Sequence, residues 1–249
     1  MAADHPAAVE TGAKLPVLRL FSNVWRLYRR HWKILVPLAL VVLIPQTLSE
    51  ALELEIDTND LDAGRAALAA ITGAALVATN LAGEALYAGM ITGLVVEWRH
   101  GIRRFSLGRL ARELPILRLI AADILIVAGT VLGLLLLVIP AVLFATYTLV
   151  TTVVIELEDA SIREGFRRSI SLVRGSFWRV LAIGLILIVA TEAATALFLL
   201  PVHGTAGAAL HLAVEAVIEP FQGVATVLVA LGLMELRGEP TVRAPRRRQ

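Results

Sequence analysis

The sequence predicts an all-α integral membrane protein with six transmembrane helices, arranged as three hairpins, and with both termini in the cytoplasm. Composition is the first observation behind this class: 57% of the 249 residues are hydrophobic and 18% are charged, with a mean hydropathy of +0.77. Soluble domains carry about 25% charged residues, so there are too few polar side chains to cover a soluble protein of this size. Cysteine is absent, which excludes disulfides and thiolate metal sites.

A series of apolar runs is the second observation, because each run is close to the roughly 20 residues that cross a bilayer. The predicted spans cover residues 33–51, 74–97, 116–138, 141–157, 178–200 and 210–235. Pro140 is predicted to mark the turn between spans three and four, and residues 201–207 an uncharged loop. The predicted domains are a disordered N-terminus at 1–15, one membrane domain at 16–237 and a basic tail at 238–249.

The third observation is the distribution of the 23 lysine and arginine residues. Only Arg65 lies in a segment that this plan places outside the cell, beside the acidic stretch 50–65. Because positively charged residues concentrate in cytoplasmic segments, both termini are expected inside. The expected location is the plasma (inner) membrane of a bacterium, with multiple spans. No small-residue cleavage site follows the first apolar run, so that run is expected to remain as a membrane helix.

A basic amphipathic interfacial helix is predicted before each hairpin. The strongest copy, residues 161–181, has an apolar stripe at helical spacing: Ile162, Phe166, Ile170, Val173 and Phe177. Arginines occupy its other faces, a pattern typical of a helix on a membrane surface; the alternative is an amphipathic helix packed on a soluble core. Gly175 is predicted to end this helix in the left-handed conformation, and Ser176 to cap the next one. Weaker copies lie at 16–33 and 102–115.

Tryptophan and arginine side chains at the feet of the spans predict contact with lipid headgroups. Indole rings anchor at the interface, and long arginine side chains extend to it. The predicted lipid-interface residues are Arg29, Arg30, Trp32, Arg167, Arg168, Arg174, Trp178 and Arg179. The expected partners are the bilayer, its anionic headgroups and another membrane protein. Nucleic acid is not expected, because these arginines lie beside spans, where anionic lipid is nearer.

Ionisable groups inside the predicted spans form the candidate polar or transport site. A charge near the middle of a bilayer costs about 2.5 kcal/mol or more, so such a group must face protein or water, pair, or bind a proton. The candidates are Glu84, Asp123, Glu192, His211, Glu215 and Glu219. The last three recur at steps of four along span six, and Pro220 is expected to bend that helix. They would line a cavity for a cation, a proton or a headgroup; alternatively, the carboxylates are protonated and hydrogen-bonded between helices.

No cofactor, metal or catalytic residue is predicted, although a histidine and two glutamates at one-turn spacing are a possible ligand set. The sequence contains no HExxH, no GxSxG and no Walker A motif. Two GxxxG patterns, Gly89–Gly93 and Gly129–Gly133, instead predict close helix contacts. An intramembrane lipid enzyme remains the minor alternative to a non-enzyme.

Three stretches resemble one family of bacterial polytopic membrane proteins. Ser169-Ile-Ser-Leu-Val-Arg-Gly-Ser-Phe-Trp-Arg-Val-Leu181 resembles the family signature S-W-x-L-V-R-G-x-F-W-R-V-x, and residues 21–32 and 231–237 are similar to its two ends. This family is the membrane domain of glycerophosphoryl diester phosphodiesterase and its relatives. Ile170 replaces the usual tryptophan, and Met234 and Glu235 depart from the usual ending. In that family the hydrolytic activity belongs to a separate soluble barrel, so the resemblance implies a membrane module without hydrolysis.

The leading functional hypothesis is therefore a non-catalytic membrane scaffold or a module that binds a partner or lipid. The alternative is a transporter of a small solute, lipid or ion that uses the intramembrane carboxylates. The two hypotheses differ in whether those carboxylates converge on one cavity.

Overall fold

The computed structural model describes residues 16–53, 63–99, 101, 107–199 and 204–239, and all regular structure in these ranges is α-helical. The all-α class is confirmed for this part of the chain. The helices are α1 (Val17–Glu53), α2 (Ala63–Arg99), α3 (Leu107–Glu113), α4 (Ile116–Leu136), α5 (Val138–Thr148), α6 (Thr151–Glu158), α7 (Ile162–Arg174), α8 (Phe177–Leu199) and α9 (Gly204–Glu235). The predicted disordered N-terminus, and the basic tail from residue 240 onward, lie outside the described residues.

Four stretches of the described chain are long and apolar enough to cross a membrane: Ile116–Leu136, Val138–Glu158, Phe177–Ala194 and Leu210–Glu235. They coincide with predicted spans three to six. Predicted spans one and two lie within α1 and α2, each of which is 37 residues long. The side chains of residues 45–53 and 63–80 are not among those described. The chain is thus a helical protein with at least four candidate membrane helices.

The surface of the α4–α5 pair explains why this protein needs a lipid environment. Leu135 is 79% exposed, Leu137 is 67% exposed and Ile139 is 69% exposed, and more apolar side chains surround them. Apolar surface in water costs about 25 cal/mol per Å², and contiguous patches of this kind mark membrane or protein contacts. Hydrocarbon chains of a bilayer would remove that cost.

The connection between predicted spans three and four differs from the prediction. The chain breaks at Leu137, whose backbone is extended with φ −177° and ψ 156°, whereas Pro140 lies in the first turn of α5. A proline is tolerated there because the first N–H groups of a helix have no partner within it. The predicted fourth span also consists of two helices, α5 and α6, separated at 149–150. Similarly, α9 begins at Gly204, so residues 204–207 of the predicted loop are helical, and residues 201–203 lie outside the described ranges.

Helix α1 joins two elements that the sequence analysis separated. The predicted interfacial helix at 16–33 and the first span at 33–51 form one helix without a break. Leu20, Val24 and Leu35 are all buried in the main core, so both halves of α1 pack on the bundle. The second interfacial copy is represented by α3, which has 7 residues, and residues 102–106 are outside the described ranges.

The termini of α7 follow from specific hydrogen bonds. Its start is a capping box: the Glu164 N–H donates to Ser161 Oγ at 3.3 Å, and the Ser161 N–H donates to Glu164 Oε2 at 3.0 Å. The Ser161 hydroxyl also donates to this carboxylate, and these hydrogen bonds lower the pKa of Glu164. Because the box stabilises the ionised carboxylate, its contribution is present above the ordinary pKa and is lost as pH falls through the lowered one.

Gly175 does not adopt the predicted left-handed conformation at the end of α7. Its φ is −76° and its ψ is −14°, which is right-handed. The reason is that the chain passes directly into α8 through a tight turn, in which Ser176 N–H donates to the Val173 carbonyl at 2.8 Å. Ser176 supports α8 through its own carbonyl, which accepts from Val180 N–H at 3.1 Å. The residue next to α7 that does adopt a left-handed conformation is Asp159, which ends α6 with φ 49°.

One face of α7 is covered by protein. Gly165 is buried where a Cβ atom would lie 2.4 Å from Ile155 Cγ1. Ser169 is fully buried, and its Oγ donates to the Tyr147 carbonyl at 2.7 Å. Helix α7 therefore packs along α5 and α6, while Ile170, from the predicted apolar stripe, is 38% exposed.

Both GxxxG patterns coincide with close contacts between helices. A Cβ atom on Gly93 would lie 2.4 Å from Leu110 Cδ1, and one on Gly133 would lie 2.8 Å from the Ala141 Cα atom. The second contact is with backbone, so α4 and α5 approach closely at this point. The close contact that Gly89–Gly93 permits is present, against α3, and Gly129–Gly133 lies close to α5.

Candidate functional site

A polar cavity of about 420 Å³ lies between α1, α2, α4, α6 and α9. Its polar lining residues are Glu84, Tyr87, Thr92, Asp123, Thr152, Glu215, Glu219, Gln222 and Thr226. Apolar residues, among them Ala39 and Leu43 of α1, complete the wall. Four of the six candidate site residues from the sequence therefore line one cavity.

The carboxylates come from three helices that are distant in sequence. Glu84 of α2 lies within electrostatic range of Asp123 on α4 and of Glu219 on α9. Glu215 lies one turn before Glu219 on α9 and is also within electrostatic range of it. Like charges this close repel one another, and the repulsion grows as the surroundings become less polar. A proton or a cation between them would relieve that repulsion.

His211 and Glu192 are the two candidates that do not line the cavity. His211 Nε2 lies 3.2 Å from Glu215 Oε1, so it contacts the site through that carboxylate. Glu192 is exposed on α8. Its neighbour Thr191 accepts a hydrogen bond from the side-chain amide of Gln222 on α9. Helix α8 thus contacts the cavity wall through Thr191, and Glu192 stands apart from the site.

Tyr87 is a site residue that the sequence analysis missed. It lines the cavity on α2, three residues after Glu84, and its side chain is 7% exposed. Its hydroxyl has no hydrogen-bond partner within the described part of the chain. A buried hydroxyl without a partner costs about 1–3 kcal/mol, so its presence beside a cavity points to a bound molecule or water. The feature of the sequence that could have identified Tyr87 is its spacing of three residues from Glu84, which places both on the same face of α2.

Threonine and glutamine side chains line the rest of the cavity. Thr92 Oγ1 donates to the Ala88 carbonyl at 2.9 Å, and Thr226 Oγ1 donates to the Gln222 carbonyl at 3.1 Å. Each hydroxyl donates its hydrogen to a carbonyl of its own helix. Toward the cavity it can therefore act only as a hydrogen-bond acceptor, through its oxygen lone pairs. These residues add to the preference of the cavity for positively charged or hydrogen-donating ligands.

Glu156 of α6 is a carboxylate near the cavity that was not among the predicted candidates. It lies against the Thr92 side chain and the backbone of Gly93 on α2. It follows the cavity residue Thr152 by one turn but does not line the cavity itself. Glu156 lies near the end of predicted span four, where a charged side chain is less costly than at the middle of a bilayer.

An ion pair and apolar side chains lie beyond the threonine end of the cavity. Arg99 Nη2 lies 2.6 Å from Glu235 Oε1, which joins the C-terminal ends of α2 and α9. Val95 and Leu231, which precede that pair on the same two helices, are fully or almost fully buried. Glu84 and Glu219 are exposed at the other end. The cavity is therefore asymmetric, with an accessible acidic end and a packed end.

The spacing of the carboxylates does not suit a directly coordinated metal ion. Among the described residues, no group of three His, Asp or Glu side chains is placed to hold one. Direct coordination requires several ligand atoms at about 2.0–2.6 Å from the ion.

The predicted lipid-interface residues have different environments. Trp32 is 49% exposed and Trp178 is 78% exposed, and Arg29, Arg30, Arg167 and Arg174 are exposed as well. Arg168 instead pairs with Glu158, at 3.0 Å, and with Glu239. Arg179 is partly buried. Trp25, which the sequence analysis did not select, is 56% exposed.

One family model matches the chain, over residues 115–234, and it is described as a domain of unknown function (DUF7847). The match covers α4 to α8 and most of α9, including the cavity residues Asp123, Glu215 and Glu219. No curated protein and no solved structure matches this chain. The resemblance to the phosphodiesterase membrane domain stays a prediction.

Proposed function

We propose that this chain is a non-catalytic membrane protein that binds a small cation in the acidic cavity and carries it across the bilayer. The observation that supports this proposal is the convergence of Glu84, Asp123, Glu215 and Glu219 on one cavity of about 420 Å³. Ionisable groups inside membranes are costly, and they mark ion or substrate pathways. Four carboxylates from three helices lie around the same cavity, and a bound cation would offset the free-energy cost of keeping them ionised there.

The lining favours a small organic cation. Cavities that bind small molecules have volumes of about 300–1,000 Å³, and this one lies in the lower part of that range. The Tyr87 ring can attract a cation through its electron-rich face, and its hydroxyl has no hydrogen-bond partner among the described residues. A quaternary ammonium group needs this combination of aromatic surface and diffuse negative charge. Choline is therefore a suitable probe.

The six-span plan with both termini in the cytoplasm is part of the proposal. In that plan, spans two and six run in the same direction. The contacts support this: Glu84 lies near Glu219, while Arg99 pairs with Glu235 at the other ends of the same helices. This orientation would place the acidic end of the cavity toward the outside of a bacterial plasma membrane. The Arg99–Glu235 pair would then lie on the cytoplasmic side.

Reporter fusions test this topology. An enzyme that is active only in the periplasm should stay inactive when fused after Arg248 and become active when inserted in the acidic segment at 54–62. The positive-inside rule is the reason for this expectation. Activity of the fusion after Arg248, with protein levels matched by immunoblotting, would overturn the proposed orientation.

The proposed transport is tested by reconstitution. Purified full-length protein is incorporated into liposomes, and a potassium diffusion potential, negative inside, is imposed with valinomycin. Uptake of radiolabelled choline should exceed that of protein-free liposomes prepared in parallel and should be inhibited by unlabelled choline. Proton and sodium fluxes are measured in the same vesicles. A rate equal to that of empty liposomes for all three cations would refute the transport proposal.

A module that binds lipid is the second candidate function, and a different feature favours it. Three arginines line a groove on α7, away from the acidic cavity. Lipid binding in this groove does not depend on cation transport through the cavity, so the two functions can be tested separately.

A further inference from the structure

An arginine groove lies where α7 meets the segment after α9. It has a volume of about 480 Å³ and is lined by Arg167, Ile170, Ser171, Arg174, Gly175 and Arg237. Among the residues that the structure describes, no carboxylate lines it. The acidic cavity shares no residue with this groove. The groove is therefore a separate positively charged surface.

The spacing on α7 and one pair of hydrogen bonds organise the groove. Arg167 and Arg174 are separated by two helical turns, and Ser171 lies between them on the same stripe. Arg237 is held against that stripe: its Nη1 donates to Ser171 Oγ at 2.8 Å, and its Nη2 donates to the Ser171 carbonyl. The guanidinium of Arg237 is thus oriented before any ligand binds.

The two arginines of α7 that line the groove have unused binding capacity. Neither Arg167 nor Arg174 forms an ion pair or a hydrogen bond with a described residue, and both are exposed. Neighbouring Arg168 is neutralised by Glu158 and Glu239. Glu164, the nearest carboxylate on α7, is engaged by Ser161. Glu164 also attracts Arg167 electrostatically. Even so, none of the three groove arginines forms an ion pair with a described residue, so all three can bind an anion.

The chemistry of these groups selects a phosphate. The planar guanidinium donates two parallel hydrogen bonds to phosphate oxygens, and several arginines together can surround one such group. The groove ends at Gly175, three residues before the highly exposed Trp178 at the foot of α8. Exposed tryptophans of this kind lie at headgroup level. We propose that the arginine groove binds the phosphate group of an anionic ligand, and that the headgroup of an anionic phospholipid is its source.

The test compares two double variants that remove the same charge. Arg167→Gln with Arg174→Gln removes both groove arginines of α7, and Arg19→Gln with Arg26→Gln removes two exposed arginines of α1 that have the same spacing and are not among the predicted lipid-interface residues. Binding of full-length protein in phosphatidylcholine nanodiscs to short-chain phosphatidic acid is measured by titration, with inorganic phosphate and glycerol 3-phosphate as soluble probes. Circular dichroism and size-exclusion profiles establish that both variants are folded.

The groove variant should bind phosphatidic acid about tenfold or more weakly than the unmodified protein, because it loses the charge-assisted hydrogen bonds from two guanidinium groups to the phosphate. The α1 variant should change binding by less than about threefold. If glycerol 3-phosphate or inorganic phosphate competes at similar concentrations, the groove binds phosphate and the lipid source is wrong. Equal losses in both variants would show diffuse attraction and overturn the site, as would the absence of binding to every probe.

Discussion

Replacing Glu219 by glutamine is expected to reduce choline uptake into proteoliposomes about 30-fold. Glu219 lines the acidic cavity and lies close to both Glu84 and Glu215. A hydrogen bond to a charged group contributes about 1.5–3 kcal/mol, and a loss of about 2 kcal/mol corresponds to this factor. Glutamine preserves the shape of the side chain and its hydrogen-bonding capacity, so the change reports mainly on charge. Initial uptake rates at several choline concentrations provide the measurement.

Glu192→Gln is the matched control for this prediction. It removes a carboxylate from an apolar helix, α8, but from a position outside the cavity. Its uptake rate should remain within about twofold of the unmodified rate, in keeping with the small effects of exposed substitutions. Equal losses in Glu192→Gln and Glu219→Gln would contradict a role for the cavity. Unchanged uptake in Glu219→Gln would contradict it as well.

Replacing Gly133 by leucine is expected to destabilise the protein by about 3 kcal/mol or more. A Cβ atom at this position would lie 2.8 Å from the Ala141 Cα atom and 2.9 Å from its backbone nitrogen. A side chain could rotate away, but backbone cannot move without separating α4 from α5. The expected observation is a lower midpoint in thermal unfolding in mild detergent, with less monodisperse protein recovered by size exclusion.

Gly184→Leu serves as the control for the glycine substitution. Gly184 lies within the apolar helix α8, and nothing lies within 4 Å of a Cβ atom built on it. This variant gains the same side chain without a clash, so its unfolding midpoint should be close to that of the unmodified protein. A Gly133→Leu variant as stable as Gly184→Leu would show that α4 and α5 do not pack this closely in the membrane.

The candidate site could be predicted in part because the cost of a charge in a membrane is a local property. Glu84, Asp123, Glu215 and Glu219 stand out against their apolar neighbours, and all four line the cavity. Glu192 stands out from its apolar neighbours in the same way but lies outside the cavity. The cost of placing a charge in a membrane therefore does not determine which charged residues line the same cavity. Tyr87 was missed because a tyrosine within a span has little free-energy cost by itself. The cost arises only when its hydroxyl is buried without a hydrogen-bond partner, as it is among the described residues, and the sequence does not show this.

The interfacial helices show a similar limit. The apolar and basic pattern of residues 161–181 correctly predicted a helix, since amphipathic periodicity is a property of one segment. It did not determine what covers the apolar face, because protein and lipid present equally apolar surfaces. The contacts of Gly165 with Ile155 and of Ser169 with the Tyr147 carbonyl identify α6 and α5 as the cover. Arg168 was likewise assigned to lipid, whereas its partners Glu158 and Glu239 come from other segments.

The sequence by itself determined the helical class, the membrane character and the approximate limits of the four apolar helices from residue 116 onward. These properties depend on hydrophobicity and periodicity within single segments, which act over one or two helical turns. The tertiary structure decided that Glu84, Asp123 and Glu219 surround one cavity and that Arg237 joins two arginines of α7 in a groove. The physical reason is that convergence depends on how each helix is rotated and which helices it contacts, and close packing at residues such as Gly93 and Gly133 sets both.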